Sequence, residues 1–199
     1  QNSIVAEIAN PLDRACVINA GDGQNEHPTQ ALLDMFTIRQ YKPDFSKLSV
    51  AIVGDVAHSR VARSDIFALQ KLGVKNIRVI APSFLLPKDT NHLNVQVFEQ
   101  LREGLKEVDV IIALRIQKER ISQEENQTVD NLYAPYAITE EVLNYAKPDA
   151  IVMHPGPLNR GLEIASEVAD GPHSVILQQV TNGVFIRMAI FNYLLSKSL

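Results

Sequence analysis

The sequence has a single cysteine, Cys16, and this scarcity excludes an internal disulfide bond and a cysteine-based metal site. For Cys16 itself, the role of a small apolar core residue is favoured over that of a reactive thiol. An excess of positive charge is also lacking, because the net charge is −4 at pH 7 and the isoelectric point is near 5.7. A nucleic-acid partner is therefore not expected, since such proteins carry a basic surface.

Segments for membrane insertion or export are not evident either. No apolar run approaches the length of a membrane span, and no signal-peptide pattern opens the chain. These observations favour a protein of the reducing cytoplasm without a membrane partner.

Several motifs of cofactor and metal chemistry are missing. Gly54-Asp55 does not belong to a GxGxxG fingerprint and no P-loop occurs, so nucleotide binding is weakly supported. No metal-ligand spacing and no Ser/His/Asp order stands out. Internal repeats and low-complexity segments are absent as well.

What the sequence does contain is an alternation of strand-like and helix-like segments, with 46% hydrophobic residues in a chain of 199. Apolar runs typical of buried strands lie at 48–53, 76–81, 108–114 and 150–153, with a further candidate at 174–178. Helical patterns lie at 28–41, 59–72, 94–105, 139–145 and 183–195. The alternation predicts an α/β fold, a parallel sheet with helices on both faces. The long polar segment 118–135 could serve as a lid.

Polar residues follow three of the predicted strands, and ligands of such folds bind outside the carboxyl ends of strands. Arg60 follows the first strand, Arg115 and Gln117 follow the third, and a turn at 154–157 follows the fourth. The planar fork of arginine suits a carboxylate, to which it donates two parallel hydrogen bonds. Two such forks at one crevice predict a ligand with two carboxylates.

A further site is predicted in the segment 17–38, where a Gly-rich turn leads into a polar cluster and then a helix that begins at Pro28. His27 and Gln30 lie where the turn becomes a helix, beside unpaired backbone N–H groups. Such a helix start attracts anionic or carbonyl-bearing small molecules.

Each of these residues also has a purely structural interpretation. Arg60 or Arg115 taken alone is more often a surface salt-bridge residue than a ligand clamp. His154 could simply end a strand, and Asp22 is more often a turn or capping residue than a catalytic acid. The remaining histidines are expected to face solvent or to cap helices; they are His58, His92 and His173.

Five segments, in chain order, resemble the motifs of aspartate carbamoyltransferase catalytic chains. They are VINAGDGQNEHPTQALLDMFTI, VGDVAHSRVARS, LRIQKER, MHPGPLNRGLEI and TNGVFIRMAI. The resemblance runs nearly from end to end. It implies an enzyme of de novo pyrimidine biosynthesis that transfers the carbamoyl group of carbamoyl phosphate to the α-amine of L-aspartate, without a metal or an organic cofactor.

The resemblance also implies roles for residues that bind carbamoyl phosphate. His27 would hydrogen-bond the carbamoyl oxygen as a neutral donor and help to polarise the carbonyl group. Gln30 would contact the carbamoyl amide, and the backbone carbonyls around Pro155 and Gly156 would accept N–H groups. Because family members have a cis bond before the second proline of this turn, the bond between Gly156 and Pro157 is expected to be cis.

For the second substrate, the resemblance implies that the two arginines bind the two carboxylates of L-aspartate. Arg60 would hold the α-carboxylate. Arg115 would hold the β-carboxylate, with Gln117 beside it.

The domain organisation implied by the resemblance has three parts. They are the end of the carbamoyl-phosphate domain with the interdomain helix (1–41), the aspartate-binding domain (42–182) and a C-terminal helix that returns to the carbamoyl-phosphate domain (183–199). The Ser-Thr-Arg-Thr phosphate loop of the family has no counterpart here, so we expect the chain alone to have negligible activity. Its helices at 28–41 and 183–195 are expected to expose apolar faces that favour association.

Partners are also implied by the resemblance. Family members assemble as catalytic homotrimers, some with regulatory chains and others with dihydroorotase. Two other functions remain open. An ornithine carbamoyltransferase would be expected to show HPCQ, an SMG-type motif and HCLP, where this chain has HPTQ and HPGP. A non-catalytic scaffold is the second alternative, although it would not need the polar residues retained here.

Overall fold

The computed structural model describes residues 3–13, 15–87, 90, 93–116 and 133–197, and within them one parallel sheet is flanked by helices. The strands are β1 (Ser49–Val53), β2 (Asn76–Ile80), β3 (Gln96–Phe98), β4 (Val110–Ala113) and β5 (Ile151–Met153). The helices are α1 (Ile4–Ala9), α2 (Pro28–Tyr41), α3 (Arg60–Lys71), α4 (Leu101–Gly104), α5 (Glu140–Leu143), α6 (Ser166–Ala169) and α7 (Ile176–Lys197). Short 3-10 turns lie at Phe45–Lys47, Ser83–Leu85 and Ala134–Tyr136.

The strands lie in the order β3-β2-β1-β4-β5, so the first strand is central and later strands add on both sides. β1 pairs in parallel with β2 and with β4, and all the other pairings are parallel too. The direction of strand addition reverses between β1 and β4. Such a reversal opens a crevice beyond the carboxyl ends of the two strands. The predicted parallel α/β fold is thereby confirmed.

An apolar core lies on each face of the sheet. Every residue of β1 is buried, and successive side chains of a strand point to opposite faces. Val50 and Ile52 belong to a cluster with side chains of α2 and α3, whereas Ala51 and Val53 belong to a cluster with side chains of α4 and α6. Both faces are therefore covered by helices, as a parallel sheet requires.

The ends of α2 and α3 lie close to the bounds predicted from the sequence, because local capping residues determine them. α2 begins at Pro28, a residue suited to the first helical turn. Ser59 accepts a hydrogen bond from the backbone N–H of Ala62 at the start of α3. Gly73, with φ of 90°, follows the end of α3 in a left-handed conformation that favours glycine.

The predicted helix over 94–105 is wrong in its first half. Gln96–Phe98 forms the edge strand β3, and only Leu101–Gly104 is helical. Asn94 has φ of 47°, a left-handed conformation that interrupts a helix. A short edge strand with exposed side chains carries little periodicity, and the sequence pattern did not distinguish it from a helix.

The predicted strand at 174–178 is also wrong. Ser174 forms only an isolated bridge with β5, and α7 already begins at Ile176. Gly183, taken from the sequence as the start of the last helix, lies inside α7, and a Cβ at this position would be 3.4 Å from Leu33 Cδ2 of α2. This glycine therefore faces α2 from within the helix and marks no boundary.

Three other expectations concern Cys16, the segment 118–135 and His92. The expected core role of Cys16 is wrong, because its side chain is exposed in a stretch without regular secondary structure. The predicted lid at 118–135 lies mostly outside the described residues, and His92 also lies outside them.

One side of α7 exposes large apolar side chains, as expected for the last helix. They include Leu177, Val180, Val184, Phe185, Met188 and Phe191. Leu32 of α2 is half-exposed as well. A contiguous apolar surface of this kind commonly contacts another protein surface. Among the described residues, no helix combines the length and the apolar character that a membrane span needs.

A substitution in β1 tests the placement of the core. Ile52 is fully buried in the central strand, so Ile52→Ala should lower the free energy of unfolding by about 2–5 kcal/mol. Ile4→Ala is the matched control, because Ile4 is 64% exposed and its change should stay within about 0.5 kcal/mol. Urea titration followed by circular dichroism measures both. Equal destabilisation by the two substitutions would contradict this placement.

Candidate active site

Three polar segments leave neighbouring strands at the same edge of the sheet. Arg60 follows β1 at the start of α3, Arg115 follows β4, and the turn from His154 to Pro157 follows β5. Because β1, β4 and β5 are adjacent and parallel, the chain leaves all three at their common carboxyl edge. The predicted site residues of these segments are thus placed at one edge. Gln117 lies outside the described residues.

The guanidinium of Arg60 packs on the Gly-rich turn that precedes α2. Gly21 has φ of 134°, and a Cβ at this position would lie 2.7 Å from Arg60 Cζ, so a side chain there would displace the arginine. Arg60 Nη1 donates to the carbonyl of Gly23 at 3.4 Å. Asp22 has the expected turn role, since its carboxylate accepts from Asn25 Nδ2 at 3.2 Å. The turn brings Arg60 close to the N-terminus of α2.

His27 lies immediately before α2 and has contacts on both sides. Its backbone N–H donates to Ser64 Oγ of α3 at 2.9 Å, and its Nδ1 lies 3.4 Å from Thr29 Oγ1. Burial, followed by the positive charges of Arg60 and Arg187, lowers the pKa of His27 to about 4. The imidazole is therefore neutral at neutral pH, when one ring nitrogen donates and the other accepts.

A buried hydrogen-bond network connects α2 with α7 and with the turn after β5. Asp34 Oδ1 accepts from Gln30 Nε2 at 3.0 Å and from Gln179 Nε2 at 2.6 Å. Gln179 Oε1 accepts in turn from the backbone N–H of His154 at 3.0 Å. All four residues are buried, and hydrogen bonds in so apolar a setting are electrostatically stronger than in water.

Asp34 also interacts with a second buried carboxyl group, that of Asp65 on α3. Burial raises the pKa of both groups, and the charge of Asp34 raises the pKa of Asp65 further. Hydrogen bonds from Gln179 and Gln30 oppose this effect at Asp34 by favouring its ionised form. Because two neighbouring buried carboxylates cannot both ionise at low cost, the pair favours keeping one proton.

The turn after β5 is ordered by two buried side chains, His154 and Glu163. The backbone N–H of Gly156 donates to His154 Nδ1 at 2.9 Å, so a neutral ring carries its proton on Nε2, which lies 3.2 Å from Glu163 Oε1. The backbone N–H of Asn159 donates to the same Glu163 oxygen at 2.6 Å. The bond between Gly156 and Pro157 is cis, as expected. His154 therefore shapes the turn in addition to ending β5.

Several residues of this region were not predicted from the sequence. They are Asp34, Asp65, Glu163, Gln179 and Arg187. A signal was available for the two aspartates, because each stands beside large apolar residues in a helical pattern and needs a partner when buried. The positions of Gln179 and Arg187 depend on how α7 crosses α2, which no local pattern indicates.

A separate cavity of about 980 Å³ lies between α2 and α3, with Ile186 of α7 at one side. Its lining is mainly apolar and does not include Arg60 or Arg115. Glu26 and Pro28, on either side of His27, also line the cavity, which therefore adjoins the start of α2. In the part of the chain that the structure describes, no cluster of His, Cys, Asp and Glu is suited to hold a metal ion.

Two family models match the chain, one over its first 40 residues and one over most of the rest. The model of the aspartate/ornithine carbamoyltransferase Asp/Orn binding domain matches residues 46–194, and that of the carbamoyl-P binding domain matches residues 1–40. The chain belongs to the aspartate/ornithine carbamoyltransferase family. The resemblance inferred from the motifs is thus confirmed for this family, whose models cover both amino-acid substrates.

Solved structures of both kinds of carbamoyltransferase share this fold. An aspartate transcarbamoylase from Trypanosoma cruzi, solved with phosphate, is 31% identical with a TM-score of 0.75, over 93% of this chain and 63% of that one. An ornithine carbamoyltransferase from Pyrococcus furiosus is 26% identical with a TM-score of 0.76, over 84% of this chain and 56% of that one. The chain therefore spans between 56% and 63% of the length of these relatives.

Asp65→Asn tests the shared proton. The folded-state pKa of Asp65 lies well above the ordinary value of 3.8, so this residue makes the free energy of unfolding fall as pH rises above that value. Asparagine cannot ionise but can still donate to Asp34. The substitution should therefore flatten the decline above about pH 4 and raise the free energy of unfolding at about pH 8 by roughly 1 kcal/mol or more.

Urea titrations over a series of pH values measure this effect. Glu103→Gln, in an exposed position on α4, is the control and should leave the profile of the parent protein unchanged. A decline as steep in Asp65→Asn as in the parent would contradict the raised pKa of Asp65.

Proposed function

We propose that the protein is an aspartate carbamoyltransferase, which transfers the carbamoyl group of carbamoyl phosphate to the α-amine of L-aspartate in de novo pyrimidine biosynthesis. The observation that carries the proposal is the placement of Arg60 and Arg115 after two adjacent parallel strands. Two guanidinium forks suit a dicarboxylic amino acid. Ornithine has only one carboxylate, and its second amine would meet a like charge.

Two further observations favour aspartate over ornithine. The motifs read HPTQ at 27–30 and HPGP at 154–157, where an ornithine enzyme is expected to show HPCQ and HCLP. The T. cruzi aspartate transcarbamoylase structures are 30–33% identical to this chain, compared with 26–27% for the ornithine carbamoyltransferases from P. furiosus and Gloeobacter violaceus.

In this proposal, the two substrates are held by separate groups. Arg60 binds the α-carboxylate of aspartate and Arg115 the β-carboxylate, with Gln117 beside it. His27 donates a hydrogen bond to the carbamoyl oxygen, and Gln30 contacts the carbamoyl amide. The lowered pKa of His27 supports its role as a neutral donor.

The reaction needs positioning and charge stabilisation. The unprotonated amine of aspartate forms a bond to the carbamoyl carbon, and negative charge grows on the carbamoyl oxygen. The bond from carbon to the phosphate oxygen then breaks, phosphate leaves with the electron pair, and the amine proton passes to phosphate. A donor such as His27, aimed at the growing oxyanion, is typically responsible for about a hundred- to a thousand-fold in rate. The carbonyls at Pro155 and Gly156 accept N–H groups and so orient the amine and the carbamoyl amide.

An initial-rate assay of the full-length protein tests the substrate assignment. With carbamoyl phosphate present, L-aspartate should give N-carbamoyl-L-aspartate and phosphate, and L-ornithine should give no product. Formation of citrulline from ornithine would replace the proposal with ornithine carbamoyltransferase. Turnover of neither amino acid would favour a non-catalytic scaffold.

Arg115→Ala in the same assay tests whether Arg115 binds the β-carboxylate of aspartate. Loss of two charge-assisted hydrogen bonds, each of about 1.5 kcal/mol, should lower kcat/KM for aspartate by about a hundred-fold, mainly through KM. Arg102→Ala is the matched control, because Arg102 is an exposed arginine on α4 that lies over the Tyr145 ring. An Arg115→Ala enzyme with the aspartate kinetics of the Arg102→Ala control would refute this role.

We extend the proposal to the assembly, a cytoplasmic homotrimer to which regulatory or dihydroorotase chains could be added. The homotrimer is carried over from the family resemblance, whereas the exposed apolar side of α7 fits a contact with the carbamoyl-phosphate domain to which this helix is expected to return. Light scattering of the full-length protein should give three times the mass of one polypeptide. A clean monomer would exclude the trimer.

A further inference from the structure

Asp34 is a buried acid that the proposed reaction does not use directly, although it contacts the candidate site from the protein interior. It lies one helical turn after Gln30 on α2 and is fully buried. A carboxylate in such surroundings needs hydrogen-bond donors, because burial without them is costly. Gln30 and Gln179 supply two of these donors to the same oxygen, at 3.0 Å and 2.6 Å.

The contact with Asp34 decides which end of the Gln30 carboxamide faces the site. Gln30 Nε2 donates to Asp34 Oδ1, so the carboxamide of Gln30 turns its NH₂ group toward Asp34 and its carbonyl oxygen away. The same oxygen, Asp34 Oδ1, also accepts from Gln179 Nε2, so Asp34 is an acceptor for both amide groups. The outward carbonyl oxygen of Gln30 is the end of the carboxamide that can accept an N–H group of a carbamoyl amide.

The same Asp34 oxygen links Gln30 to the turn after β5. Gln179 donates to Asp34 with its NH₂ group and accepts the backbone N–H of His154 with its carbonyl oxygen. Pro155 follows directly, and its carbonyl is one of the groups assigned to the substrate N–H. One carboxylate therefore sets the relative position of two separate acceptors for the carbamoyl amide.

We propose that Asp34 is a positioning residue for carbamoyl transfer, which orients the Gln30 carboxamide and couples it through Gln179 to the turn at His154. The proposal rests on the proposed function, because it needs Gln30 to contact the carbamoyl group. Asp34 itself touches no substrate and acts only through its two amide partners.

Asp34→Ala in the full-length protein removes the acceptor and should lower kcat/KM for carbamoyl phosphate by about ten- to a hundred-fold, since small misplacements of positioning groups have effects of this size. The KM for aspartate should change little, because Arg60 and Arg115 lie on other segments. Asp34→Asn should restore most of the loss, because its amide oxygen still accepts and its NH₂ group can donate to Asp65.

A double-mutant cycle separates positioning from general destabilisation. In a Gln30→Ala background, Asp34→Ala should lower kcat/KM less than it does in the parent, because only the route through Gln179 to the turn at His154 remains. A full additional loss would overturn the proposal. Thr37→Val is the matched control, because Thr37 is buried at the same interface of α2 and α7 and accepts from Asn182 Nδ2 at 2.9 Å. This variant should lose stability but keep the carbamoyl phosphate kinetics of the parent.

Exchange of the Gln30 side-chain NH₂ protons, followed by NMR, provides a readout that does not depend on activity. Protection in the parent and its loss in Asp34→Ala would support the contact, whereas fast exchange in the parent would overturn it. If the parent carbamoylates neither aspartate nor ornithine, the proposed function fails, and this exchange still decides whether Asp34 orients Gln30. If Asp34→Ala does not fold, Gln179→Met takes its place in the cycle, because it breaks the connection between Asp34 and the turn at His154. It should lower kcat/KM for carbamoyl phosphate, and unchanged kcat/KM would overturn the coupling.

Discussion

The parallel pairing of β1 with β4 is the constraint on which the candidate site depends. Val53 stands opposite Ala113, so the chain leaves both strands at the same level of the sheet. The segments that follow carry Arg60 and Arg115, and a strand order without β1 beside β4 would separate them. The pairing is stabilised by the apolar cores on the two faces, since every residue of β1 and β4 is buried. The hydrophobic effect thus holds two charged residues at one edge.

Polar contacts between α2 and α7 add a second level of organisation. Asp34 with Gln179, and Thr37 with Asn182, join the two helices through buried hydrogen bonds. Such bonds require specific partners, so they select the register of two helices more narrowly than apolar contacts do. In this protein they also lead toward the site, because one of them continues to the backbone N–H of His154.

Much of the fold could be predicted because its signals are local. The apolar runs of β1 and β4, Pro28 at the start of α2 and Ser59 before α3 all act within a few residues. The edge strand β3 and the start of α7 were mispredicted, because their state depends on pairing and packing with distant parts of the chain.

The site was less predictable than the fold, for the same reason. Arg60 and Arg115 could be associated through the rule for strand ends, and individual roles came from the family resemblance. The pairs Asp34 with Asp65 and His154 with Glu163 escaped prediction. Each joins residues whose contact is set by the tertiary structure and has no spacing that a sequence displays.

The central claim is that the protein grips a dicarboxylic amino acid beside a carbamoyl group. Isothermal titration of the full-length protein with a bisubstrate analogue, in which a phosphonate is joined to L-aspartate, tests it most directly. The account predicts one analogue bound per polypeptide and no measurable binding of the matching L-ornithine analogue. Binding of the ornithine analogue as tightly as the aspartate analogue would contradict the account.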